Sequence, residues 1–363
     1  MKTAHPMVHR RRLGGVFALC LALAFGSPMA HAAGGGGGTG AKATSSNKNV
    51  DYYLTGSAAD ATPSAPTTPM LVLMGGGTDV DEAFQAMIAH AGGSAANKVD
   101  VVIVRASGAD GYNPYLYAMP GVDSVETLVI KTRTGAEDAA VNAIVAKADV
   151  LFIAGGDQWN YISLWKGTAL EATIRARSAG KVPMGGTSAG LAVLGAVDYS
   201  AQNGTVTSAD ALANPYNKRV TLDTGFLNAL PYLAGTITDP HLVTRDRMGR
   251  LVTFLARMVQ DGFVPLAATR GIGIDEHAAL VIDGGSAPSA RVMGSGAAYL
   301  LQPSIAPTTV LARQPLTFYG IGVRKATAAS GSFSLWSGAL PSYHLDAVSG
   351  VLTSDQPGGA SLY

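Results

Sequence analysis

The stretch that decides the fold reads Met184-Gly185-Gly186-Thr187-Ser188-Ala189-Gly190. A short apolar run at 182–184 precedes it, and an apolar segment at 191–194 that is typical of a helix follows. A serine between small residues, at a turn that joins a strand to a helix, matches the G-x-S-x-G nucleophile elbow. The small neighbours allow the cramped turn that raises the hydroxyl above a sheet. We therefore expect Ser188 to be a nucleophile; the alternative is a glycine-rich turn in which it only caps the helix.

On both sides of the elbow, short apolar runs alternate with segments of helical periodicity. The runs predict strands at 71–74, 101–104, 127–130, 150–153 and 182–184. The periodic segments predict helices at 81–91, 136–147 and 168–178. Such alternation is typical of a mostly parallel sheet with helices on both faces. Functional groups of such sheets collect at the carboxyl ends of strands, which places the loops at 75–77, 105–107, 155–158 and 185–190 together.

The two ends of the chain differ in composition from this central part. Three arginines, an apolar run at 13–25 and Ala30-His31-Ala32 predict a signal peptide at 1–32 and a secreted protein, periplasmic or extracellular. Residues 33–69 are rich in glycine, serine and proline and predict a flexible linker, with a possible short strand near 52–54. The catalytic domain is then expected at 70–285. Residues 286–363 predict a β-rich extension packed on it.

Composition excludes several classes of protein. The only cysteine, Cys20, lies in the predicted signal peptide, so no disulfide framework is expected. Without residues 1–32 the chain has 22 basic and 25 acidic residues, a net charge of −3, which indicates neither a nucleic-acid nor a membrane partner. No metal-ligand spacing is present, and the glycines at 75–77 lack the flanking residues of a phosphate or dinucleotide loop, so we expect no cofactor.

A serine nucleophile requires a base, and His241 is the best candidate. It follows an apolar run at 233–237 and precedes a predicted helix at 244–259, which puts it at the carboxyl edge of the sheet. His90 and His344 lie in less suitable positions, whereas His277 directly follows a predicted strand and stays open. Periodicity alone does not choose the acid that orients the base, because four residues qualify: Asp198, Asp210, Asp239 and Glu276.

Arg245, Arg247 and Arg250 are predicted to lie in the first turns of the helix at 244–259. Cations are unfavourable at this end of a helix, at a few tenths of a kcal/mol each. Arg247 and Arg250 share a stripe with apolar residues and should point inward. These positions predict an anionic, carboxylate-rich substrate; the alternative is a solvated basic helix start with Asp246 as partner.

These motifs together resemble the serine peptidase family that includes aspartyl dipeptidase and cyanophycinase, peptidase family S51. The matching segments are Arg105-Ala106-Ser107-Gly108, Gly155-Gly156-Asp157-Gln158, Gly186-Thr187-Ser188-Ala189-Gly190, the run from Asp239 to Arg250, and Gly271-Ile272-Gly273-Ile274-Asp275-Glu276. The resemblance implies a three-layer αβα sandwich like the class I glutamine amidotransferases, and a homodimer. It also implies a Ser-His-Glu triad, which selects Glu276 as the orienting acid.

Carried over by position, the resemblance implies that Gln158, Asp239, Arg245, Arg247 and Arg250 line a pocket for a β-linked Asp-Arg unit. The implied substrate is cyanophycin, a poly-aspartate with arginine on each side chain, which the family splits to β-Asp-Arg dipeptides. Asp239 would receive the substrate guanidinium. One departure is Pro240, where the family's pattern generally has glutamine. Two alternatives therefore stay open: a secreted dipeptidase for aspartyl or isoaspartyl peptides, and an inactive polymer-binding protein.

The elbow also predicts where the oxyanion of the reaction should bind. The residue after an elbow nucleophile already aims its N–H at the reacting carbonyl oxygen. We expect one donor from Ala189 and a second from the turn at 155–157, from Gly156 or Asp157.

Overall fold

The computed structural model describes residues 43–224, 226–337, 341–358 and 361–363. The predicted signal peptide at 1–32 and the start of the predicted linker lie outside the described residues. Among the helices that are described, none is long and apolar enough to cross a bilayer.

The strands of the described chain, in order, are β1 Ser45–Ser46, β2 Val50–Gly56, β3 Met70–Met74, β4 Val99–Arg105, β5 Val122–Ile130, β6 Val150–Ile153, β7 Met184–Thr187, β8 Val197–Tyr199, β9 Leu222–Thr224, β10 Thr236–Asp239, β11 Arg270–Ile274, β12 Ala278–Asp283, β13 Ser289–Gly294, β14 Ala298–Pro303, β15 Phe318–Ala326, β16 Phe333–Ser334, β17 Tyr343–Val348 and β18 Val351–Ser354. The α-helices are α1 Asp81–His90, α2 Tyr112–Tyr117, α3 Arg133–Ala136, α4 Ala139–Lys147, α5 Gln158–Trp165, α6 Ala169–Ala179, α7 Ala189–Ala192, α8 Ser208–Ala213 and α9 Met248–Gln260.

The first sheet carries the parallel strands that the sequence predicts. Its order is β1-β2-β5-β4-β6-β7-β3-β12-β13-β16, and the central run from β5 to β3 is parallel. Alternate residues of these strands enter two different apolar cores: Val102 and Leu151 pack with α4, α5 and α6, whereas Ile103 and Phe152 pack with α1 and α2. Burial on both faces explains the continuous apolar runs. The predicted α/β sandwich is thereby confirmed, with antiparallel strands flanking the parallel centre.

A second sheet, which the sequence does not reveal, holds two of the loops that matter for function. Its order is β18-β17-β15-β14-β11-β10-β8-β9, and β10 lies between β8 and β11 with both pairings parallel. Its other pairings are antiparallel. One face of this sheet joins the core around α9. The residues that follow β10 and β11 therefore emerge side by side.

Part of the segment predicted as a flexible linker belongs to the first sheet. Strand β2 pairs antiparallel with β5 from Val50 to Gly56, so the short strand suggested near 52–54 is present and longer than expected. Most of its side chains are partly buried. The many β-branched and aromatic residues suit such a half-buried strand near the edge of the sheet, and the linker expectation is wrong for these residues.

Residues beyond 286 continue both sheets. Strand β13 pairs with β12 in the first sheet, and β14 pairs with β11 in the second. The expected β-rich character of this region is confirmed, but its strands hydrogen-bond into the sheets that carry the candidate site. The division into a domain at 70–285 and an extension at 286–363 stays a prediction.

Candidate active site

Ser188 lies on a strained turn between β7 and the short helix α7. Its φ of 52° is in the left-handed region, which is rare for residues other than glycine. A side chain at Gly190 would place its Cβ 2.0 Å from the Ile153 carbonyl oxygen, so this position must be glycine. The chain can therefore turn tightly against the end of β6. Helix α7 has only four residues, so its dipole is that of a single turn.

His241 follows β10 and is seated on the glycine loop after β3. Its φ is 52°, and its N–H donates to the Gly75 carbonyl at 2.9 Å. A Cβ at Gly76 would lie 2.3 Å from the ring carbon Cε1. A glycine cluster after a strand is also typical of a simple tight turn. Here Gly76 is needed because the imidazole of His241 lies directly against its backbone.

Ser188, His241 and Glu276 form one hydrogen-bonded chain. The Ser188 hydroxyl lies 2.7 Å from His241 Nε2, and His241 Nδ1 lies 2.5 Å from Glu276 Oε1. Glu276 comes two residues after β11, which pairs in parallel with β10. Adjacent strand ends thus bring the base and its acid together. This arrangement lets the imidazole take the serine proton while the carboxylate fixes the ring.

The other candidate histidines have different surroundings. His90 Nε2 lies 2.7 Å from the Thr68 carbonyl, and His344 is exposed and pairs with Asp355. His277 has a φ of 59°, and its N–H donates to the Gly76 carbonyl at 3.1 Å. It supports the loop that seats His241, while the hydrogen bond to Ser188 belongs to His241.

The environment of His241 favours its neutral form. Burial, followed by the charges of Arg245, Arg247 and Arg250, lowers the pKa of His241 far below its usual 6.5. The Glu276 carboxylate opposes this effect by stabilising the imidazolium. A neutral imidazole is the state that a general base needs before it accepts a proton.

Asp239 and Arg250 are paired with each other inside the protein. Arg250 Nε donates to Asp239 Oδ2 at 2.8 Å, and Nη2 donates to Oδ1 at 2.5 Å. The remaining Arg250 contacts go to Thr205 Oγ1 and the Val206 carbonyl, and its guanidinium lies 4.9 Å from the Tyr199 ring centre. Both residues are almost fully buried, with Asp239 1% and Arg250 2% exposed. The pair holds the strand end before His241, and neither side chain has room for a substrate group.

Arg245 and Arg247 remain more open to a ligand. Arg247 donates to the Pro240 carbonyl at 2.9 Å and lies 3.9 Å from Asp239. The Arg245 side chain is 41% exposed and its Nε is 3.7 Å from Glu276. Together with Arg250, three arginines face two carboxylates here. The excess positive charge suits an anionic group of a substrate.

The helix boundary near these arginines differs from the predicted one. Helix α9 begins at Met248, with Arg247 at its N-cap, rather than at 244. The chain first makes a turn in which Asp246 has a φ of 46° and Arg247 N–H donates to the Leu242 carbonyl at 2.7 Å. Arg250 alone lies within the first helical turn. As expected from the apolar stripe, Arg247 and Arg250 point inward, with side chains 13% and 2% exposed.

The predicted oxyanion donors lie in one neighbourhood. Strand β6, which leads into the turn at 155–157, pairs with β7 directly before the elbow. Within the described residues, the N–H groups of Ala189, Gly156 and Asp157 make no hydrogen bond. Asp157 caps α5 through its side chain. Gln158 donates to the Tyr199 carbonyl at 3.3 Å. Assignment of these residues to the oxyanion and the substrate stays a prediction.

Sequence reasoning missed two features of the site. The mutual pairing of Asp239 and Arg250 depends on a fold-specific side-chain contact that spacing alone does not give. The second feature is Asp79, two residues after the glycine loop, which lines a pocket beside the elbow. Its proximity to the glycines was the one available signal. In the part of the chain that the structure describes, no three His, Cys, Asp or Glu side chains are grouped as metal ligands would be.

Comparisons with known proteins find cyanophycinases and a peptidase among the similar chains. The chain is 27% identical to a cyanophycinase of Trichormus variabilis over 270 residues, which cover 72% of this chain and 83% of the relative. It is 28% identical to a cyanophycinase of Synechococcus elongatus, with 55% and 58% covered. A crystal structure of a peptidase from an acI-B1 actinobacterium aligns with a TM-score of 0.47 and 16% identity, covering 74% of this chain and 97% of that one.

The family match covers the parts of the chain that build the site. The description of peptidase family S51 matches residues 71–289, a span that includes Ser188, His241 and Glu276. More than half of the chain lies within this match. The chain therefore belongs to peptidase family S51 and is a serine-type peptidase.

Proposed function

We propose that this peptidase hydrolyses cyanophycin to β-Asp-Arg dipeptides with Ser188, His241 and Glu276 as a catalytic triad. The observation that carries the proposal is the continuous hydrogen-bonded chain, 2.7 Å from serine to histidine and 2.5 Å from histidine to glutamate. The names of the relatives indicate the substrate. A protein exported through the predicted signal peptide would meet this polymer outside the cell.

The chemistry follows from the positions of these groups. Ser188 Oγ attacks the carbonyl carbon while its proton passes to His241 Nε2, and Glu276 stabilises the imidazolium that forms. The N–H groups of Ala189 and of the turn at 155–157 receive the developing oxyanion. His241 then returns the proton to the leaving amine, which leaves an acyl group on Ser188. Water, activated by the same histidine, releases the acyl group and restores the enzyme.

The charge beside the triad supports an acidic substrate. Arg245 is partly exposed. Arg247 follows two residues later, at the N-cap of helix α9. Guanidinium groups bind carboxylates through paired hydrogen bonds. In cyanophycin each aspartyl side-chain carboxyl is linked to an arginine, so the α-carboxylates of these arginines and the carboxylate at the end of the chain supply such groups. A second candidate, a dipeptidase for aspartyl or isoaspartyl peptides, is favoured by Pro240, whose ring offers no amide to a longer substrate.

A comparison of substrates tests the proposal. The purified protein and its Ser188→Ala variant are incubated with cyanophycin and with small β-aspartyl dipeptides, and released products are identified by mass spectrometry. We expect β-Asp-Arg from cyanophycin with the unmodified protein alone. Cleavage of the small peptides without cyanophycin would favour the dipeptidase.

A serine-directed phosphonate separates the remaining outcomes. Labelling of Ser188 without cleavage of either substrate would mean a serine hydrolase of different specificity. Cyanophycin binding without labelling would identify an inactive polymer-binding protein and overturn the proposal.

A further inference from the structure

The pocket that Asp79 lines opens at the same edge of the first sheet, beside the elbow. It is formed by charged, aromatic and small residues: Gly77, Asp79, Arg105, Gly111, Tyr112, Tyr115, Gly155 and Thr187. Thr187 directly precedes Ser188, and a Cβ at Gly77 would lie 3.3 Å from Glu276 Oε2. The pocket therefore adjoins the triad. It lies toward α1 and α2, on the face of the sheet where Tyr112 packs.

Two buried polar atoms in this pocket have no partner among the described residues. Asp79 accepts a hydrogen bond from the Tyr112 hydroxyl at 2.6 Å through Oδ2, but its Oδ1 is unpaired. The Thr187 hydroxyl is also unpaired; it lies near enough to Asp79 to lower the pKa of that carboxyl without making a well-aligned hydrogen bond. Burial acts more strongly and raises the pKa of Asp79. A buried carboxyl oxygen without a hydrogen-bond partner lowers the stability of the fold unless a ligand supplies the missing contact.

A cationic ligand would supply a donor to Asp79 Oδ1 and would favour the ionised carboxylate, which only accepts hydrogen bonds. Arg105 does not supply it: its Nε donates to the Ser107 carbonyl at 2.5 Å and its Nη1 to the Ala109 carbonyl at 3.1 Å. These contacts hold its guanidinium on its own loop, where it lines the pocket and acts on Asp79 through its charge alone. Tyr112 and Tyr115 also line the pocket. Aromatic faces beside a carboxylate attract planar cations such as a guanidinium.

We propose that Asp79 and the two tyrosines bind the guanidinium of the substrate arginine that is attached to the scissile aspartyl unit. This inference rests on the proposed function and assigns its cationic subsite. Asp239 is 1% exposed and paired with Arg250, whereas Asp79 has, among the described residues, a carboxyl oxygen without a partner. Ser188 then lies between a subsite for the cation and the arginines that face carboxylates.

Replacement of the substrate's charge and of the carboxylate tests the subsite. Hydrolysis of a short β-Asp-Arg oligomer is compared with that of its citrulline counterpart, which keeps the shape of arginine but has no charge. We expect the unmodified protein to prefer arginine in kcat/KM by about 10- to 100-fold, the usual range for one charge-assisted contact. Asp79→Asn should reduce this preference to about twofold or less.

Asp123→Asn is the matched control. It removes the same charge at the amino end of β5. This end of the parallel strands is opposite the carboxyl ends that carry the site. Asp123 lies 4.0 Å from Lys98 there. It should keep the full arginine preference. Asparagine at 79 can still accept from Tyr112, and far-UV circular dichroism with thermal melting verifies that Asp79→Asn is folded.

Failure of the subsite and failure of the proposed function give different results. Equal hydrolysis of both oligomers, or an arginine preference that survives in Asp79→Asn, would overturn the subsite and leave the peptidase intact. If neither oligomer is cleaved, the proposed function fails. In that case calorimetry with arginine amide and citrulline amide still decides the inference. Tighter binding of arginine amide that Asp79→Asn abolishes supports it, and equal binding of the two amides overturns it.

Discussion

The contacts among Ser188, His241 and Glu276 predict strongly coupled effects of mutation. Either Ser188→Ala or His241→Ala should lower kcat by about four to six powers of ten, because each removes a step that the other cannot perform alone. The double variant should be little slower than either single one. Single-turnover kinetics on cyanophycin measure all three. Losses that add in log kcat would show that the two residues do not act as one unit.

Arg247 and Arg250 should respond differently to the same substitution. Arg250→Lys keeps the charge but breaks the paired contact with buried Asp239, so we expect about 1–3 kcal/mol less stability toward unfolding. Arg247 makes one hydrogen bond to a carbonyl, and its side chain is 13% exposed, against 2% for Arg250. Arg247→Lys should therefore mainly raise KM, with less than about 1 kcal/mol lost in stability.

Urea unfolding and steady-state kinetics on both variants measure this difference. Equal effects on stability would mean that Arg247 is also a scaffold residue. A normal unfolding midpoint for Arg250→Lys would contradict the importance of the buried pair.

The low pKa of His241 predicts an acid limb of activity well below neutral pH. Because burial and the neighbouring arginines lower this pKa from 6.5, the folded enzyme keeps a neutral base while an unfolded chain would already bind a proton. Activity should thus persist below pH 6.5, and the contribution of His241 to stability should fall as pH decreases through that range.

Arg245→Gln tests the electrostatic part of this argument. It removes a cation that lowers the pKa of His241, so the acid limb of kcat/KM should move to higher pH. The pH at which kcat/KM falls is compared rather than the maximal kcat/KM. Arg245 also faces the substrate, so its loss changes that maximum. Identical limbs in both proteins would mean that Arg245 does not contribute to the low pKa of His241.

Among the secondary-structure elements, the sequence predicted those that depend on a local pattern of residues. Strand β6 matches the predicted run at 150–153 because both of its faces are buried. The predicted start of α9 was wrong by four residues. Left-handed backbone conformations at His241 and Asp246 interrupt a segment whose composition still suits a helix. Periodicity left Glu276 as one of four possible acids, and only the family resemblance selected it. The pairing of β10 with β11 places it next to His241.

Strand β8 carries a buried acid whose protonation should affect stability. Asp198 is fully buried, and within the described residues neither of its carboxyl oxygens has a partner. Burial, then the charge of Asp223, raises the pKa of Asp198 well above 3.8. As pH rises above that value, the unfolded chain releases this proton while the folded chain keeps it. Stability therefore falls until the folded pKa is reached.

Asp198→Asn should remove this pH dependence. The difference in unfolding free energy between variant and parent should change by up to about 1.4 kcal/mol per pH unit between the two pKa values. Denaturant titrations at a series of pH values measure it, with Asp60→Asn as a control, since Asp60 is exposed and pairs with Lys147. A constant difference across this range would mean that Asp198 is already ionised in the folded protein.

For the whole molecule, the division at 286 is the expectation that most needs a test. The family match ends at 289, yet strands after that point complete both sheets. Strand β13 forms six residue pairs with β12, and β14 forms four with β11, the strand that leads to Glu276. Composition marks the region as β-rich. It cannot show which strands pair with it, because such contacts join distant parts of the chain.

Truncation at this boundary should destroy the fold rather than release an active domain. A chain of residues 33–285 would lose β14 and β13, one of the two partners of β11 and of β12, and would expose apolar residues such as Leu280 and Ile272, which are now fully buried. Unpaired apolar edges of this kind favour aggregation. We expect the shortened chain to be insoluble or to lack a cooperative melting transition, whereas residues 33–363 should melt cooperatively and react with a phosphonate at Ser188. A soluble 33–285 chain that retains phosphonate labelling would show that the catalytic domain ends near 285 and that the later strands are dispensable for the triad.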